Sequence, residues 1–197
     1  EVMRISAFIF FPLMISFSIF SNNIIVFLIG KEWEEAAKYI SILSWCYVLY
    51  PIHAISLNIL NVFGRSDLFL KVEIIKKIIS IGPICLGIFV GIKAMLIGLI
   101  ITGVIAYFMN SYYTGKKLHY STWMQIKDIY FSFMLAAIIA VSVYFIKYLP
   151  ISCCAVLAIQ FLVGVALFFI LCETTRPIEY LEFKMIAIRI LDKMKRK

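Results

Sequence analysis

Six long runs of apolar residues divide the chain, and each run is bounded by charged or turn-forming residues. They cover about residues 5–29, 36–63, 68–90, 94–113, 129–148 and 152–172. A helix needs roughly 20 mostly apolar residues to cross the hydrocarbon core of a bilayer, and each run is about that long. The pattern therefore predicts six transmembrane helices within residues 1–173, joined by mostly short connections.

These runs do not fit a membrane β-barrel. Barrel strands alternate apolar and polar residues over about ten positions, whereas these runs are longer and show no strict alternation. Helices remain, because a helix satisfies its own backbone hydrogen bonds in lipid. Of all residues, 63% are hydrophobic and 15% are charged, whereas a soluble domain is roughly half apolar and a quarter charged. The predicted fold class is an all-α integral membrane protein.

Basic residues fall unevenly on the two sides of these predicted helices. Four belong to the odd-numbered connections and their helix ends: Lys31, Lys38, Lys93 and Lys147. The other fifteen belong to the even-numbered connections and the two chain ends: Arg4, Arg65, Lys71, Lys76, Lys77, Lys116, Lys117, Lys127, Arg176, Lys184, Arg189, Lys193, Lys195, Arg196 and Lys197. Since cytoplasmic connections are rich in Lys and Arg, both termini are predicted to be cytoplasmic. This placement explains the net charge of +8 without nucleic acid as a partner.

The tail, residues 174–197, is basic and carries an apolar stripe. Ile178, Leu181, Met185, Ile188 and Leu191 recur at helical spacing, which favours an amphipathic helix lying on the cytoplasmic face of the membrane. The last five residues include four basic side chains, so we expect them to be attracted to anionic lipid head groups. The alternative interpretation is a disordered basic end.

No combination of residues typical of a catalytic or metal site occurs. The two histidines, His53 and His119, lie in different segments, and the five cysteines lack the spacing of metal ligands. The glycines form no phosphate-binding loop motif. We therefore expect no enzyme activity, no catalytic residue, no metal and no cofactor.

Polar residues inside apolar runs are costly in a bilayer and mark candidate functional positions. The second run is the richest, with His53, Asn58 and Asn61 following Pro51. His53 is either a ligand or proton-carrying group lining a cavity, or the partner in an interhelical hydrogen bond. Gln160, midway along the sixth run, either lines a groove or pairs with another helix.

Proline and small residues inside the runs indicate how the helices bend and pack. Pro12, Pro51 and Pro83 each remove a backbone donor, so we expect kinks there. All three are hinge candidates, since kinked helices are common in transporters, although proline is also simply more frequent in membrane helices. On the fourth run, Gly98 and Gly103 favour close helix packing.

Two stretches are more distinctive than the rest. Residues 30–37, Gly-Lys-Glu-Trp-Glu-Glu-Ala-Ala, follow one apolar run and open the next. Residues 61–77 read Asn-Val-Phe-Gly-Arg-Ser-Asp-Leu-Phe-Leu-Lys-Val-Glu-Ile-Ile-Lys-Lys. In their residues and spacing, both stretches resemble the C-terminal half of the Wzx-type O-antigen and capsule flippases. These belong to the multidrug/oligosaccharidyl-lipid/polysaccharide exporter superfamily.

Members of that family have about 12 to 14 transmembrane helices, in two lobes around a central cavity. The resemblance implies that this chain supplies roughly the last six helices and lacks the N-terminal lobe, which its non-initiator first residue Glu1 also suggests. It implies that an undecaprenyl-pyrophosphate-linked oligosaccharide moves from the cytoplasmic to the periplasmic leaflet. The pyrophosphate would meet Arg65, Lys71, Lys76 or Lys77, each of which is otherwise an ordinary cytoplasmic anchor.

Two other functions remain open at this point. An integral membrane enzyme of envelope polysaccharide synthesis, such as a polymerase or an acyltransferase, would need large outer loops or clustered His, Arg and Asp. The outer connections are short. A drug or cation exporter of the same superfamily would be favoured by an acidic residue deep within a helix, whereas Glu73 is expected near the charged inner end of its helix.

The predicted topology places Cys153 and Cys154 at the outer end of the sixth helix. A membrane-impermeant thiol reagent added outside cells should therefore modify at least one of them, as measured by mass spectrometry. Protection of both residues until the membrane is permeabilised would contradict the topology.

Overall fold

A computed structural model of the chain describes residues 1–118, 120–182, 184 and 185. These residues form seven α-helices of 13 or more residues and no strand. The helices are α1, Val2–Leu28; α2, Glu34–Tyr47; α3, Tyr50–Val62; α4, Ser66–Phe89; α5, Ile92–Leu118; α6, Thr122–Ile146; and α7, Cys153–Thr175. A single 3₁₀ turn, Lys31–Trp33, leads into α2.

Five helical stretches in this described part are long and apolar enough to cross a membrane. They are Val2–Leu28, Lys31–Val62, Ile92–Lys116, Thr122–Ile146 and Cys154–Thr175. α4 has 24 residues and is also long enough, but Glu73, Lys76 and Lys77 make its first half more polar than these five stretches. The structure thus agrees with an all-α, multi-pass membrane chain, and the crossing by α4 stays a prediction.

The second apolar run, residues 36–63, forms two helices instead of one. α2 and α3 are separated by a turn at Val48 and Leu49, just before Pro51, which lies in the first turn of α3. In the first turn of a helix, backbone N–H groups make no hydrogen bond within the helix, so proline removes none there. The fixed φ of proline also suits the helix. Pro12 and Pro83 lie inside α1 and α4, which continue through them. Of the three hinge candidates, Pro51 alone coincides with a helix break.

α1 lies at the centre of the bundle, where it contacts α2, α3, α6 and α7. Met3, Ala7, Phe11 and Ile15 are spaced four residues apart, so they form one buried stripe along α1. This stripe belongs to a single core cluster with residues of α3, α5 and α6. α4 packs mainly against α5 instead. The region between α3, α4 and α5 therefore lies beside the core around α1, and α4 is outside that core.

Small residues allow α4 and α5 to approach closely. A Cβ added at Gly98 would lie 3.1 Å from Pro83 Cβ, and one added at Gly87 would lie 3.0 Å from Met95 Sδ. The packing role predicted for Gly98 is therefore confirmed. Gly103 differs, because a Cβ added there would meet nothing within 4 Å.

The beginning of α1 and the segment after α7 lie next to each other. The guanidinium of Arg4 is 3.7 Å from the carboxylate of Glu179. Glu173 accepts hydrogen bonds from Lys184 Nζ at 2.6 Å and from the Tyr180 hydroxyl at 2.8 Å. The hydrogen bond to this carboxylate raises the pKa of Lys184. These contacts hold the first tail residues against the ends of α1 and α7.

The first residues of the tail are helical, and some of their apolar side chains are exposed. Residues 178–182 are helical, and Ile178, Leu181 and Met185 are exposed. An exposed apolar stripe beside a membrane bundle agrees with a helix lying at the interface. Outside the described residues lie the rest of the predicted stripe and the basic end: Ile188, Leu191 and residues 193–197.

Gly98→Val should destabilise the bundle, because its methyl groups would overlap Pro83 across the α4–α5 contact. Overpacking of this kind costs about 1–3 kcal/mol. Gly103→Val is the matched control on the same helix, with open space at its Cβ. Heat- or denaturant-induced loss of helical circular dichroism in reconstituted protein measures both variants. Equal stability of the two would contradict the close α4–α5 contact.

Candidate functional site

A cavity of about 590 Å³ lies between α3, α4 and α5. Four of the candidate residues identified from the sequence line it, namely His53 and Asn58 on α3 and Lys76 and Lys77 on α4. Glu73 joins them from the same face of α4. Folding therefore collects into one space half of the eight polar residues that the sequence singled out.

The wall of this cavity is positively charged. Lys76 and Lys77 contribute two positive charges and Glu73 one negative charge, so the net charge is +1 with His53 neutral. Lys76 forms an ion pair with Glu73, one turn earlier on α4. This pairing fixes the position of both side chains and lowers the cost of holding them away from bulk water.

His53 is held in place by a residue that is itself buried. Asn110 on α5 is 1% exposed, and its Nδ2 donates to His53 Nδ1 at 3.1 Å. With Nδ1 accepting, the ring proton of neutral His53 is on Nε2. The Tyr107 ring lies 6.5 Å from the imidazole, centroid to centroid, in an edge-on arrangement. Both interpretations of His53 are thus combined, since it pairs with a neighbouring helix and also lines a cavity.

The ionisable groups of the cavity lie far from the ends of their helices at the α3–α4 turn. His53 is nine residues before the end of α3 at Val62, and Lys76 is ten residues after the start of α4 at Ser66. At 1.5 Å per residue these distances are about 14 Å and 15 Å, or half of a hydrocarbon core about 30 Å thick. Ionisable residues at such depth are rare unless they face a cavity or a partner. This cavity provides both conditions.

Three other candidate residues near this site do not line the cavity. Arg65 lies in the α3–α4 turn, where its guanidinium donates to the Asp67 carboxylate at 2.8 and 2.9 Å. Asn61 and Lys71 are exposed. Lys71 is about 140° around α4 from Lys76, because a helix has 3.6 residues per turn. These residues agree better with an anchoring or turn-forming role.

Gln160 is far from this cavity and pairs with other helices. It is fully buried. Asn23 Nδ2 on α1 donates to its Oε1 at 2.9 Å, and its own Nε2 donates to the Val143 carbonyl of α6 at 3.3 Å. Of the two interpretations left open for Gln160, the structure confirms helix pairing.

Sequence reasoning missed two features of the site. Asn110 is a polar residue in a long apolar run, as Asn58 is, but it was not among the predicted candidate residues. Gly103 was expected to serve close helix packing, whereas it lines the cavity together with Thr102 and Ala106. Small residues at this position leave space, because no neighbouring atom lies within 4 Å of a Cβ added at Gly103.

Among the residues that the structure describes, no group of three His, Cys, Asp or Glu side chains is placed to hold a metal ion. No family profile, curated protein or solved structure matches the chain. The interpretation of the site therefore depends on its own geometry and on the sequence resemblance.

The Asn23–Gln160 contact should appear as an energetic coupling. In a double-mutant cycle, Asn23→Ala and Gln160→Ala should couple by about 0.6–1.7 kcal/mol, as interhelical hydrogen bonds in membranes do. Thr174→Ala is the control on the same helix, because its hydroxyl bonds only its own helix. Its change in unfolding free energy should add to that of Gln160→Ala, with no coupling between the two. Unfolding free energies in mixed micelles supply the values, and zero coupling between Asn23 and Gln160 would contradict the pairing.

Proposed function

We propose that the chain forms one lobe of a flippase that moves an undecaprenyl-pyrophosphate-linked oligosaccharide across the bacterial inner membrane. The observation that carries this proposal is the positively charged cavity between α3, α4 and α5. Moving a charged group into the hydrocarbon of the bilayer costs free energy. A pyrophosphate and its sugars therefore need a polar, cationic path across it. Lys76, Lys77 and His53 supply such a path at the required depth. The lipid tail remains in the surrounding hydrocarbon.

The proposal takes α4 as a sixth membrane crossing. Arg4 and Glu179 lie 3.7 Å apart, so the start of α1 and the end of α7 are at the same face of the bundle. An even number of crossings meets that condition, and α1, the α2–α3 pair, α4, α5, α6 and α7 make six. The charged side chains of α4 at Glu73, Lys76 and Lys77 line the cavity instead of facing lipid. The excess of basic residues at this face favours placing it in the cytoplasm.

The sequence stretch that resembles flippases, residues 61–77, builds one wall of this cavity. Gly64 lies two residues after the end of α3 and has φ +66°, a left-handed conformation that glycine adopts without strain. The chain then reverses, and α4 runs back beside α3. This reversal brings Lys76 and Lys77 into the cavity that His53 lines. The resemblance and the cavity therefore support the same function.

In this proposal the cavity faces a second lobe, which the resemblance implies. Rocking of one lobe against the other would expose the cavity to each face of the membrane in turn. His53 and Lys76 lie on different helices, each fixed by its own partner. Bending at the break before Pro51 would move α3 relative to α4 and change the spacing of the groups that hold the pyrophosphate.

A second candidate function is drug or cation export, and Glu73 favours it. Glu73 is seven residues into α4, or about 10 Å from its start, and it lines the cavity. This position is deeper than the one expected from the sequence. Its ion pair with Lys76 weakens its attraction for a cation, so the flippase accounts better for the cavity.

Lys76→Gln and Lys77→Gln, expressed within the full-length gene in a host lacking its own flippase, should each reduce surface polysaccharide about tenfold. A tenfold loss corresponds to about 1.4 kcal/mol of lost interaction with the pyrophosphate. Lys71→Gln is the matched control, because it removes the same charge from the same helix outside the cavity. Blotting of surface polysaccharide measures all three variants, and an equal loss in Lys71→Gln would contradict a specific role for the cavity.

The same assay separates the two candidate functions. Failure of the unmodified gene to restore polysaccharide, despite correct membrane insertion, would contradict the flippase. Loss of drug or cation efflux in Glu73→Gln, with polysaccharide display unchanged, would favour the exporter.

A further inference from the structure

A second polar cavity, of about 820 Å³, lies at the end of the bundle opposite Arg4 and Glu179. Its walls come from the second half of α1, from α2, from the first turn of α5, and from the end of α6 with the residue that follows it. Lys38, Lys93 and Lys147 line it from three different elements that are far apart in sequence. Folding alone brings them to one place.

Basic residues are scarce at this end of the bundle, which makes their convergence informative. Of 19 Lys and Arg residues, four belong to this end, and three of those four line the same cavity. The fourth, Lys31, does not line it. Anchoring at a membrane surface does not require basic side chains to gather at one point, and like charges repel one another. A ligand of opposite charge accounts for the convergence.

Hydroxyl and amide groups form a fixed floor beneath these lysines. Ser18 Oγ on α1 and Ser41 Oγ on α2 lie 2.8 Å apart. Asn23, which also lines the cavity, donates to the buried Gln160 of α7 at 2.9 Å. Because each hydrogen bond joins two helices, the floor is positioned before any ligand arrives, which lowers the cost of binding.

The rim of the cavity is also ordered by contacts. Lys147 Nζ donates to the Tyr144 hydroxyl at 3.3 Å and lies 4.5 Å from the centroid of that ring. Tyr144 lines the cavity as well. This contact holds one ammonium group beside a phenol hydroxyl, and a bound anion can accept a hydrogen bond from each.

Charge indicates the chemical class of the ligand. Lys38, Lys93 and Lys147 give three positive charges and Glu34 one negative charge, so the lining carries a net +2. A phosphate monoester carries about −1.5 to −2 at pH 7, and lysine binds phosphate as a point charge. We propose that this cavity binds a terminal phosphate group, either inorganic or carried by a lipid. The proposal goes beyond transport and does not depend on it.

Lysine acylation in nanodiscs tests the site. The purified chain in phosphatidylcholine discs is treated with an amine-acylating reagent, and the rate at each lysine is read by mass spectrometry. Inorganic phosphate at twice its dissociation constant should slow acylation about threefold at an occupied site. We expect this slowing at Lys38, Lys93 and Lys147 and none at Lys31, relative to chloride at equal ionic strength. Discs containing phosphatidic acid form the second arm.

The outcomes of this experiment are distinct. Protection of the three lysines by inorganic phosphate supports a site for a soluble anion. Protection in the phosphatidic acid arm but not in the inorganic phosphate arm supports a site for a lipid phosphate. Equal slowing at Lys31, or no slowing in either arm, overturns the proposal. Lys93→Gln should weaken the protection of Lys38 and Lys147, whereas Lys31→Gln should leave it unchanged. Helical circular dichroism confirms that each variant is folded in the discs.

Discussion

The bilayer's inability to solvate backbone polar groups or charges is the constraint on which this structure depends. A chain in which 63% of residues are hydrophobic satisfies its backbone within helices, and the described residues form helices with no strand. The same constraint confines most charge to the helix ends. Charged side chains inside a long helix need a partner or a cavity to compensate for them, as Glu73 and Lys76 do for each other.

Two polar cavities follow from this constraint, and they are supported by different parts of the bundle. The one between α3, α4 and α5 lies beside the core around α1, and Gly98 allows α4 and α5 to meet at its border. The other is built against α1 itself, over a floor that Gln160 fixes. α1 contacts four helices of the bundle, whereas α4 packs closely against α5 and less against α3.

The helical fold could be predicted from the sequence because hydropathy is a local property that survives folding. The two helices that replace the second run were harder to predict. Pro51 signalled a disturbance there, but a kink and a break give the same apolar pattern. α4 is a different case. Its charged residues lower its mean hydropathy, although the helix is long enough to cross a membrane.

The candidate site could be predicted only in part, because the face that a residue occupies depends on its neighbours. Lys71, Lys76 and Lys77 look alike in the sequence, and the packing of α4 against α5 decides which of them line the cavity. Gln160 and Asn58 are both amides in apolar runs, yet one is buried between helices and the other lines a cavity. The pairing of Asn110 with His53 is set by tertiary contacts, and no pattern along the chain predicts it.

The most direct test of the central claim is whether the cavity between α3, α4 and α5 is hydrated and positively charged. Asn58→Cys, in a chain whose five native cysteines are replaced by serine, places one thiol in that cavity. An anionic thiol reagent should modify it about tenfold faster than a cationic reagent of equal size, because a positive cleft concentrates anions. Ile78→Cys, on an exposed position of α4 outside the cavity, should react slowly with both. Equal rates for the two reagents at Asn58→Cys, or a thiol as unreactive as that of Ile78→Cys, would contradict the account.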